Sequence, residues 1–526
     1  MAYASGCRPD YGSSNLPPCF NGGKSVTEKS IHEINERIRD GSARVVTADR
    51  MSGIVTELGP DGAVREVDVV TTGTFGAMCS SGVWMNFGHS DPPIKMQKVL
   101  LNDVEAYAGV AAVDAYIGAA QISETEGMDY GGAHVIEDLV RGREIDLKAT
   151  AYGTDCYPLR NIHTKITLDD LNQATMINPR NGYQKYNVAT NSSDKTIYTY
   201  MGTLLPRNGN ATYSGAGDLS PLSNDPTYET IGMGTSIFLC GAKGYVIGEG
   251  TQHAPESNFG TIMVRGDLKE MSSDFLRASC FSKYGTTLYV GIGIPIPILN
   301  EKLALSTAVK DSDITTNVLD YSTPRRSRPI VRTVTYEELK SGIIDIDGKE
   351  VKSSSLSSYH VAKKIAEELK RWIQEEEFTL TLPAQRLPLD TTVRPLKDAR
   401  RLPYVKDVML TNVTTIRQGS PIEEAAKKIT QGEFTHLPVV SEDDRLVGIV
   451  TAWDISRSVA SKHDTLDEIM TKKVITSDID EPIEISATKV EKHNISALPV
   501  VDKEGKVVGI LTSDDITRLV AERRVR

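Results

Sequence analysis

The sequence predicts a mixed α/β region followed by a smaller α/β module that contains two copies of one unit. Three observations support this fold class: a length of 526 residues, a repeat near the end of the chain, and a mixture of helix and strand patterns before it. The length corresponds to about three domains of ordinary size. The repeat separates a paired module from a larger region that must carry the main activity.

The first 25 residues differ in composition from the rest of the chain. They are rich in Gly, Ser, Pro and Asn and lack the apolar segment of a signal peptide. We therefore predict a disordered leader over 1–25, which an upstream choice of start codon would explain. Ordered structure is expected to begin at Ser30, which can form a capping box with Glu33 before an apolar helical stripe that stops at Gly41.

The next region, which we bound at 26–333, combines strands with glycine-rich loops. Residues 67–72 and 288–294 have the pattern of strands, and the second is apolar and closed by Pro295. No G-x-G-x-x-G, P-loop, H-E-x-x-H or G-x-S-x-G motif occurs in it. The region therefore carries no built-in redox or nucleotide chemistry, and we expect neither a metal nor a tightly bound cofactor.

Cysteine usage points to free thiols rather than to metal sites or disulfides. The six cysteines are sparse and form no C-x-x-C pair, which argues against a zinc ribbon or an iron–sulfur ligand set. Isolated thiols are typical of the reducing cytosol. Cys7 and Cys19 belong to the predicted leader, and Cys240 and Cys280 are most simply core or incidental residues.

Two cysteines stand in contexts that favour chemistry. Cys79 follows a predicted strand in a flexible, hydroxyl-rich loop. Cys156 lies in a turn whose backbone is fixed by Pro158, and the nearby Arg160 and His163 could favour its thiolate form. From the residues alone, either thiol is as readily a small apolar side chain as a nucleophile.

Four segments of this region are distinctive: GTFGAMCSSGVWMNFGHSDPPIKM, GGAHVIEDLVRG, ATAYGTDCYPLR and NPRNGYQKYNVATN. Together they resemble the archaeal homocysteine-biosynthesis family, the L-aspartate semialdehyde sulfurtransferases, and the likeness covers most of residues 30–390. The resemblance implies that L-aspartate semialdehyde and sulfide are converted to L-homocysteine through a cysteine persulfide. It also implies a separate ferredoxin-like iron–sulfur partner.

The implied chemistry agrees with what the sequence lacks. Adding sulfur to an aldehyde leaves a product two electrons short of a thiol, and no flavin, nicotinamide or iron–sulfur motif is present to supply them. We therefore expect the electrons to come from another protein. We assign Cys156 as the persulfide carrier, because its rigid turn and Arg160 suit a nucleophile, and Cys79 as the second thiol. The two roles could be exchanged.

Charged side chains near these segments supply further candidates. His89, His134 and His163 could act as acids or bases, although a hydrogen-bonded structural role is the simpler interpretation of each. Arg180 and Arg207 could bind the substrate carboxylate, because a guanidinium binds a carboxylate through two hydrogen bonds. Arg160 and His163 are candidates for the same task.

A connector is predicted over 334–402. Ser358 can cap a helix with an apolar stripe on one face, and that stripe is expected to pack on a neighbouring domain or subunit. The stripe consists of Val361, Ile365, Leu369 and Trp372.

The repeat at the end of the chain has an offset of 61 residues, as between Leu437 and Leu498. Each copy runs from a short strand through an amphipathic helix and an apolar strand to a second strand that ends in Thr-x-x-Asp. This order resembles a tandem pair of CBS domains, a Bateman module. We place CBS 1 at 403–463 and CBS 2 at 464–526, and we expect the pair to form a homodimer.

The resemblance to CBS pairs implies an adenosine-type ligand in the cleft between the copies. The carboxylates of Asp454 and Asp515 can each accept both hydrogens of a ribose diol. Thr451 and Thr512 stand where a helix N-terminus offers N–H groups to ribose or phosphate. The alternative is that the four residues only cap helices. Because homocysteine leads to methionine and S-adenosylmethionine, we expect S-adenosylmethionine or a related adenosyl compound as the ligand.

Composition excludes several other classes of protein. A hydrophobic content of 39%, a charged content of 25% and the absence of a long apolar run are typical of a cytoplasmic globular protein without membrane spans. A net charge of −11 argues against nonspecific nucleic-acid binding.

Two other functions remain to be weighed. A purine-nucleotide dehydrogenase also pairs a catalytic cysteine with a CBS module, but its CBS pair interrupts a barrel and its cysteine loop has a signature absent here. A non-enzymatic sensor of adenosine ligands is the other alternative, and it would keep its function without Cys156.

Overall fold

The computed structural model describes residues 28–323, 328–394, 396, 403–461 and 463–524. The chain forms two compact units, the first ending at Val393 and the second beginning at Arg394. The predicted leader, with Cys7 and Cys19, lies outside the described residues. No helix in the described part of the chain is long and apolar enough to cross a membrane.

The helices of the first unit are short and are separated by many strands. They are α1 (Ile31–Arg39), α2 (Ala48–Glu66), α3 (Gly132–Val140), α4 (Pro221–Asn224), α5 (Glu301–Ser306), α6 (Tyr336–Lys340) and α7 (Tyr359–Gln374). The capping box predicted at the start of α1 is confirmed, because the Glu33 N–H donates to the Ser30 hydroxyl at 3.2 Å and the Ser30 N–H donates to the Glu33 carboxylate at 2.6 Å.

The strands of the first unit account for most of its architecture. In chain order they are β1 (Val45–Thr47), β2 (Val69–Thr71), β3 (Thr74–Ala77), β4 (Gly82–Asn86), β5 (Lys98–Leu101), β6 (Val104–Ala106), β7 (Asp114–Gly118), β8 (Ile122–Ser123), β9 (Gly127–Gly131), β10 (Ile145–Thr150), β11 (Asn161–Ile166), β12 (Gln173–Asn181), β13 (Val188–Thr190), β14 (Ile197–Thr199), β15 (Gly202–Leu204), β16 (Ala211–Tyr213), β17 (Gly232–Met233), β18 (Ser236–Leu239), β19 (Ala242–Glu249), β20 (Ile262–Asp267), β21 (Leu276–Phe281), β22 (Gly285–Gly293), β23 (Pro295–Pro297), β24 (Thr315–Asp320), β25 (Ile330–Thr335), β26 (Ile343–Ile346), β27 (Lys349–Ser355) and β28 (Gln385–Arg386).

These strands form three large sheets and several small ones. The nine-stranded sheet has the order β21-β22-β18-β19-β20-β12-β4-β7, and β3 also pairs with β22. One six-stranded sheet has the order β11-β10-β5-β6-β8-β9, and the other has the order β25-β24-β13-β16-β27-β26. The small sheets are β1-β2-β23, β14-β15 and β17-β28. The two strands predicted from sequence are present as β2 and β22, with β2 starting two residues later than expected because Val67 still caps α2.

The helix α7 covers one face of β22, as its apolar stripe predicts. Ile365 and Leu369 are fully buried in a cluster that also contains Phe238. A Cβ atom at Gly293 of β22 would lie 2.9 Å from the Cγ2 atom of Ile365, so glycine at this position lets the helix approach the sheet. The opposite face of β22 carries Leu288, which belongs to the largest core cluster together with residues of α3.

The second unit consists of two copies of one α/β arrangement. Its helices are α8 (Ile422–Gly432), α9 (Ala452–Ser461), α10 (Leu466–Ile469), α11 (Ile483–His493) and α12 (Ser513–Arg524). Its strands are β29 (Ile416–Arg417), β30 (His436–Val440), β31 (Leu446–Thr451), β32 (Ser477–Asp478), β33 (Ala497–Val501) and β34 (Val507–Thr512). They form the equivalent sheets β29-β30-β31 and β32-β33-β34.

The two copies exchange contacts in a reciprocal manner. Leu410, near the start of the first copy, bridges to Ile510 of the second, and the equivalent pair Ile449 and Thr471 makes the reverse bridge. This reciprocity is that of a pseudo-two-fold pair. The predicted fold class, a mixed α/β region followed by a tandem CBS module, is therefore confirmed.

Candidate active site and CBS cleft

Cys79 lies in a tight turn between two strands of the nine-stranded sheet. The turn is closed by a 3.1 Å hydrogen bond from the Ser81 N–H to the Met78 carbonyl. The strand before it, β3, pairs with β22, and the strand after it, β4, pairs with β12. The sheet therefore fixes both ends of the turn, and the Cys79 side chain remains accessible.

The Cys79 side chain lines a concave space of about 480 Å³ that is part open to solvent. Its walls are mainly aromatic and contain Tyr183, Tyr186, Tyr200, Phe281 and Tyr284 together with Thr287. A second concave space of about 440 Å³ shares Tyr183, Tyr186 and Ser214 with the first. We call the first of these the thiol cavity and the second the adjoining cavity.

Arg180 supplies a positive charge beside this thiol. It follows the fully buried Asn178 near the end of β12, and Asn178 accepts the Arg180 N–H at 3.0 Å and donates to the Ser81 hydroxyl at 2.9 Å. The turn that carries Cys79 and the strand that carries Arg180 are thus joined by one amide side chain. The Nε atom of Arg180 is buried and has no hydrogen-bond partner among the described residues.

The thiol and a neighbouring phenol both have shifted acidities. Burial raises the pKa of the Cys79 thiol, and the positive charge of Arg180 acts against this effect. Burial also raises the pKa of Tyr183 to about 12, again opposed by Arg180. Tyr183 therefore remains a neutral hydroxyl donor over the physiological range. The Cys79 thiol lies among the cavity walls and yet keeps an accessible surface, so its protonation can respond to a ligand bound in the cavity.

The far wall of the thiol cavity is a network of tyrosines. The Tyr200 and Tyr321 hydroxyls lie 2.8 Å apart. Burial raises the pKa of Tyr186 and of Tyr321, so both stay neutral. The guanidinium of Arg328 lies 3.9 Å from the centre of the Tyr321 ring.

Cys156 lies on an exposed loop between β10 and β11. The Thr154 hydroxyl is 3.5 Å from its sulfur and accepts the Tyr157 N–H at 3.1 Å, which closes the turn around the cysteine. Arg160 lies across the same loop, because a Cβ atom at Gly153 would be 3.1 Å from its Nε atom. Arg160 therefore lies in the same loop as Cys156, and no contact between its guanidinium and the Cys156 sulfur is found among the described residues.

The structure separates the predicted residues into groups. Cys79 lines the thiol cavity, and the charge of Arg180 acts on its thiol, although Arg180 is not among the residues that line either cavity. Cys156 lines neither cavity, and no contact in the described residues joins the two thiols. Arg207 forms an exposed ion pair with Asp194 at 2.7 Å, away from both cavities.

The three candidate histidines occupy different surroundings. His163 on β11 is exposed and lies 3.3 Å from Asp146, and the His89 ring lies 6.0 Å from that of Tyr157, next to the Cys156 turn. His134 caps α3 by accepting the Gly131 N–H at 3.2 Å, and burial lowers its pKa. His134 therefore has the hydrogen-bonded structural role that was the simpler interpretation.

The remaining two cysteines also differ from each other. Cys240 is fully buried, and burial raises its pKa to about 12, which confirms it as a core residue. Cys280 is exposed rather than buried, and its sulfur lies 3.1 Å from the Asp129 carbonyl and 3.7 Å from His134 Nε2.

Sequence reasoning missed the aromatic walls and Thr287. Tyr183 and Tyr186 lie in the segment NPRNGYQKYNVATN, which also contains Arg180, so a local signal for them existed. The other wall residues come from strands and loops far apart in the chain, and only the pairing of strands brings them together. No local pattern marks them.

In the CBS unit, the two Thr-x-x-Asp motifs have nearly identical geometry. The Asp454 carboxylate accepts the Thr451 N–H at 2.9 Å and its hydroxyl at 2.6 Å. The Asp515 carboxylate accepts the same groups of Thr512 at 3.0 Å and 2.6 Å. Each Asp N–H also donates to the threonine hydroxyl at 3.2 Å. The capping role is therefore present in both copies, and each carboxylate keeps one further oxygen.

The two copies differ in how closely an arginine approaches this carboxylate. Arg518 lies 2.7 Å from the Asp515 carboxylate, whose side chain is 6% exposed. Arg457 lies 3.6 Å from the Asp454 carboxylate, whose side chain is 13% exposed. His436 lies between the copies, with its Nε2 atom 2.9 Å from the Ser496 hydroxyl. Burial lowers the pKa of His436, and the charge of Asp454 opposes this.

Comparison with known proteins divides the chain in the same way, into a large first region and a CBS pair. The model of the family described as "Homocysteine biosynthesis enzyme, sulfur-incorporation" matches residues 43–380, and the CBS domain matches 405–461 and 466–522. A thiol-bearing α/β unit joined to a CBS pair defines the class, a sulfur-incorporating enzyme with a CBS module. The chain belongs to the homocysteine biosynthesis family.

Several individual proteins are similar to this chain. It is 58% identical to L-aspartate semialdehyde sulfurtransferase of Methanosarcina acetivorans, over 95% of this chain and 100% of the relative. It is 54% identical to the protein of the same name from Methanocaldococcus jannaschii, over 94% and 99%. A homoserine O-acetyltransferase of Methanohalobium evestigatum is 55% identical over 119 residues, 23% of this chain and 24% of the relative.

Among solved structures, a CBS domain pair in complex with 5′-methylthioadenosine and S-adenosyl-L-methionine is 44% identical. It covers 23% of this chain and 98% of its own length, with a TM-score of 0.23.

Proposed function

We propose that this protein is an L-aspartate semialdehyde sulfurtransferase that forms L-homocysteine from L-aspartate semialdehyde and sulfide. The observation that carries the proposal is the pairing of an accessible thiol, Cys79, with a guanidinium, Arg180, whose buried Nε–H has no partner. A small substrate with a carboxylate and an aldehyde matches this pair. The likeness to two full-length relatives of that name supports the choice of substrate.

In this proposal Arg180 binds the substrate carboxylate. A carboxylate would satisfy the free Nε–H and pair with the positive charge, and such charge-assisted hydrogen bonds are about twice as strong as neutral ones. The substrate is short, so a carboxylate at Arg180 leaves its aldehyde within the thiol cavity. The neutral hydroxyls around the cavity suit an uncharged aldehyde.

Sulfur is carried to the cavity by Cys156 as a persulfide, with Cys79 as the second thiol. The exposed turn makes Cys156 accessible to a sulfur donor, whereas Cys79 stands where the aldehyde binds. Transfer between them requires the Cys156 turn to approach the cavity. The assignment predicts that the two thiols differ in function, and the reverse assignment is tested by the same variants.

Another protein must supply the electrons that this reaction consumes. With hydrogen sulfide, exchange of the aldehyde oxygen for sulfur releases water, and two electrons and two protons then give the thiol. A persulfide donor needs four electrons and four protons and regenerates the carrier thiol. Forming the next persulfide from that thiol and sulfide passes two electrons and two protons to an acceptor, for which we propose the oxidised form of the same electron-transfer partner. We propose that a small ferredoxin-like iron–sulfur protein supplies the net two electrons in the cytoplasm.

The CBS unit is proposed to bind S-adenosylmethionine or a related thioadenosine through Thr451, Asp454, Thr512 and Asp515. The geometry of the two motifs supports this, because each aspartate carboxylate keeps one oxygen that does not serve the threonine cap. The pair is proposed to form a homodimer.

One experiment tests the main proposal. Purified protein is incubated with sulfide, L-aspartate semialdehyde and a low-potential chemical reductant, and L-homocysteine is measured by mass spectrometry. We expect product with the wild-type protein and with Arg207→Gln, whose side chain lies away from the cavities, and much less with Arg180→Gln. Absence of product from the wild-type protein, together with intact adenosyl-ligand binding, would favour the sensor function instead.

A further inference from the structure

Thr287 presents an unpaired hydroxyl to the thiol cavity. The residue lies on β22 and is 2% exposed, and its Oγ1 atom has no hydrogen-bond partner among the described residues. The same side chain lines the cavity that contains Cys79. Buried hydroxyl groups normally have a partner, so this group is set up to bind something that enters the cavity.

Strand pairing places Thr287 opposite the thiol. In the antiparallel pair of β22 and β3, Tyr289 is opposite Ala77, and the Met78 N–H donates to the Leu288 carbonyl at 2.7 Å. Continuing that register by two residues brings Thr287 across from Cys79. Because alternate residues of a strand share a face, Thr287 and Cys79 project from the same side of the sheet.

The neighbouring threonine shows that the unpaired state is particular to this position. Thr286 is 1% exposed, and its hydroxyl donates to the Ala119 carbonyl at 2.8 Å on the other face of the strand. Of these two adjacent buried threonines, which face opposite sides of the strand, one has a hydroxyl satisfied by the fold and the other does not. A buried hydroxyl without a partner destabilises the fold, because it has lost its hydrogen bonds to water.

We propose that the Thr287 hydroxyl donates a hydrogen bond to the aldehyde oxygen of the substrate and holds the carbonyl group in place for sulfur addition. This inference rests on the proposed function. In the addition step, a bond forms between sulfur and the aldehyde carbon, and the π electron pair of the carbonyl moves to oxygen. The proton released from sulfur ends on that oxygen and gives a neutral thiohemiacetal, so the step involves no oxidation or reduction.

In this arrangement the substrate is bound at both ends, at its carboxylate and at its aldehyde oxygen. Arg180 on β12 would hold the substrate carboxylate, and Thr287 on β22 would hold the aldehyde oxygen. Cys79 lies between these two strands. Tyr183, which remains protonated, lines the same cavity and can donate a second hydrogen bond to the developing negative oxygen. The geometry therefore assigns to the cavity a donor set that stabilises charge on oxygen as the sulfur–carbon bond forms.

The test compares Thr287→Val with Thr287→Ser and with the matched control Thr286→Val. Valine keeps the shape of threonine and removes the hydroxyl. We expect Thr287→Val to lower kcat/KM for homocysteine formation about 100-fold, the order of effect seen when a donor to a developing oxyanion is removed. Its Tm should be unchanged or higher, because an unsatisfied group is lost. Thr287→Ser should stay within about threefold of wild type.

The control should behave in the opposite way. Thr286→Val removes a satisfied hydrogen bond, so its Tm should fall while kcat/KM of the folded protein is retained. The proposed role would be wrong if Thr287→Val turned over substrate as fast as the wild-type protein. It would also be wrong if Thr287→Val and Thr286→Val lost the same stability and had the same kcat/KM.

A second measurement does not depend on turnover. L-Aspartate semialdehyde in the cavity should protect Cys79 against iodoacetamide, measured peptide by peptide by mass spectrometry. We expect the concentration for half protection to rise at least about tenfold in Thr287→Val, since one hydrogen bond to the ligand is lost. Equal protection in both proteins would overturn the Thr287 inference alone. No protection in the wild-type protein would refute the proposed substrate site itself and the inference with it.

Discussion

The positive charge of Arg180 acts on the thiol of Cys79, although the two residues lie about a hundred positions apart in the chain. Burial raises the pKa of that thiol, and the guanidinium lowers it. The two strands that bring them together, β4 and β12, are paired in register from Gly82 opposite Ile177 to Asn86 opposite Gln173. The pairing of these strands therefore determines the positions of both the Cys79 thiol and the Arg180 guanidinium that would bind the substrate.

Replacing Arg180 tests both effects. In Arg180→Gln the pKa of Cys79 should rise further, because the positive charge that lowers it is removed while burial remains. The thiolate fraction at a given pH falls, so the pH profile of Cys79 alkylation should move to higher pH. KM for L-aspartate semialdehyde should rise about tenfold to a hundredfold, the equivalent of about 1.5–3 kcal/mol for hydrogen bonds to a charged group.

The matched control is Arg207→Gln, which removes an exposed ion pair to Asp194. Such pairs contribute little to stability, and this one lies away from both cavities. Its alkylation profile and KM should match those of the wild-type protein. A profile for Arg180→Gln that coincided with that of the control would contradict the proposed role of Arg180.

Features that depend on local sequence patterns could be predicted, whereas features that depend on strand pairing could not. The CBS copies, the capping box at Ser30 and the stripe of α7 are local patterns, so their residues reveal them directly. The electrostatic interaction between Arg180 and Cys79 depends on which strands pair across the sheet. Local sequence does not determine that pairing, and for the same reason Arg180 and Arg207 could not be ranked before the structure.

Cysteine variants separate the proposed roles of the two thiols. Cys156→Ser should reduce homocysteine formation at least about 100-fold with the fold intact, because serine cannot carry a sulfane sulfur and is a poor nucleophile without an adjacent base. Cys79→Ala should also be impaired, most clearly at low sulfide. Cys280→Ala should keep full activity. Mass spectrometry of protein treated with polysulfide, a donor of sulfane sulfur, should locate a persulfide on Cys156, and full turnover by Cys156→Ser would show that its persulfide is not required.

The need for an outside reductant gives a prediction about partners. With sulfide and substrate but no electron source, purified protein should form no more than trace homocysteine. A small reduced iron–sulfur protein should restore turnover in proportion to its concentration, since each homocysteine requires two electrons. Multiple turnovers by this chain alone, without any reductant, would remove the reason to invoke such a partner.

His436 predicts a pH dependence in the CBS unit. Burial lowers its pKa below that of an unfolded histidine, so the folded unit favours the neutral ring. The unfolded state then binds more protons, and stability is lost as pH falls below about 6.5. The apparent Tm of the CBS transition should fall less between pH 7.5 and 5.5 in His436→Gln than in the wild-type protein. The exposed His493→Gln serves as a control and should behave as wild type.

The last prediction concerns which CBS copy holds the ribose of the adenosyl ligand. The Asp515 carboxylate is nearly buried and has Arg518 at 2.7 Å, whereas the Asp454 carboxylate is more accessible and lies 3.6 Å from Arg457. A ribose diol must reach the oxygen that does not serve the threonine cap, and that oxygen is freer in Asp454. We therefore expect Asp454→Asn to weaken S-adenosylmethionine binding to the full chain about tenfold or more and Asp515→Asn to weaken it less.

Asparagine is the appropriate replacement because its side-chain oxygen can still accept from the threonine N–H, so the helix cap is largely kept while the charge is lost. Calorimetry with S-adenosylmethionine, ATP and AMP measures the order of affinities, and we expect the sulfonium ligand or a thioadenosine to bind more tightly than the other two. A larger effect of Asp515→Asn would place the ribose in the second copy. Undiminished binding in the Asp454→Asn, Asp515→Asn double variant would show that neither carboxylate contacts the ligand and that both serve only as caps.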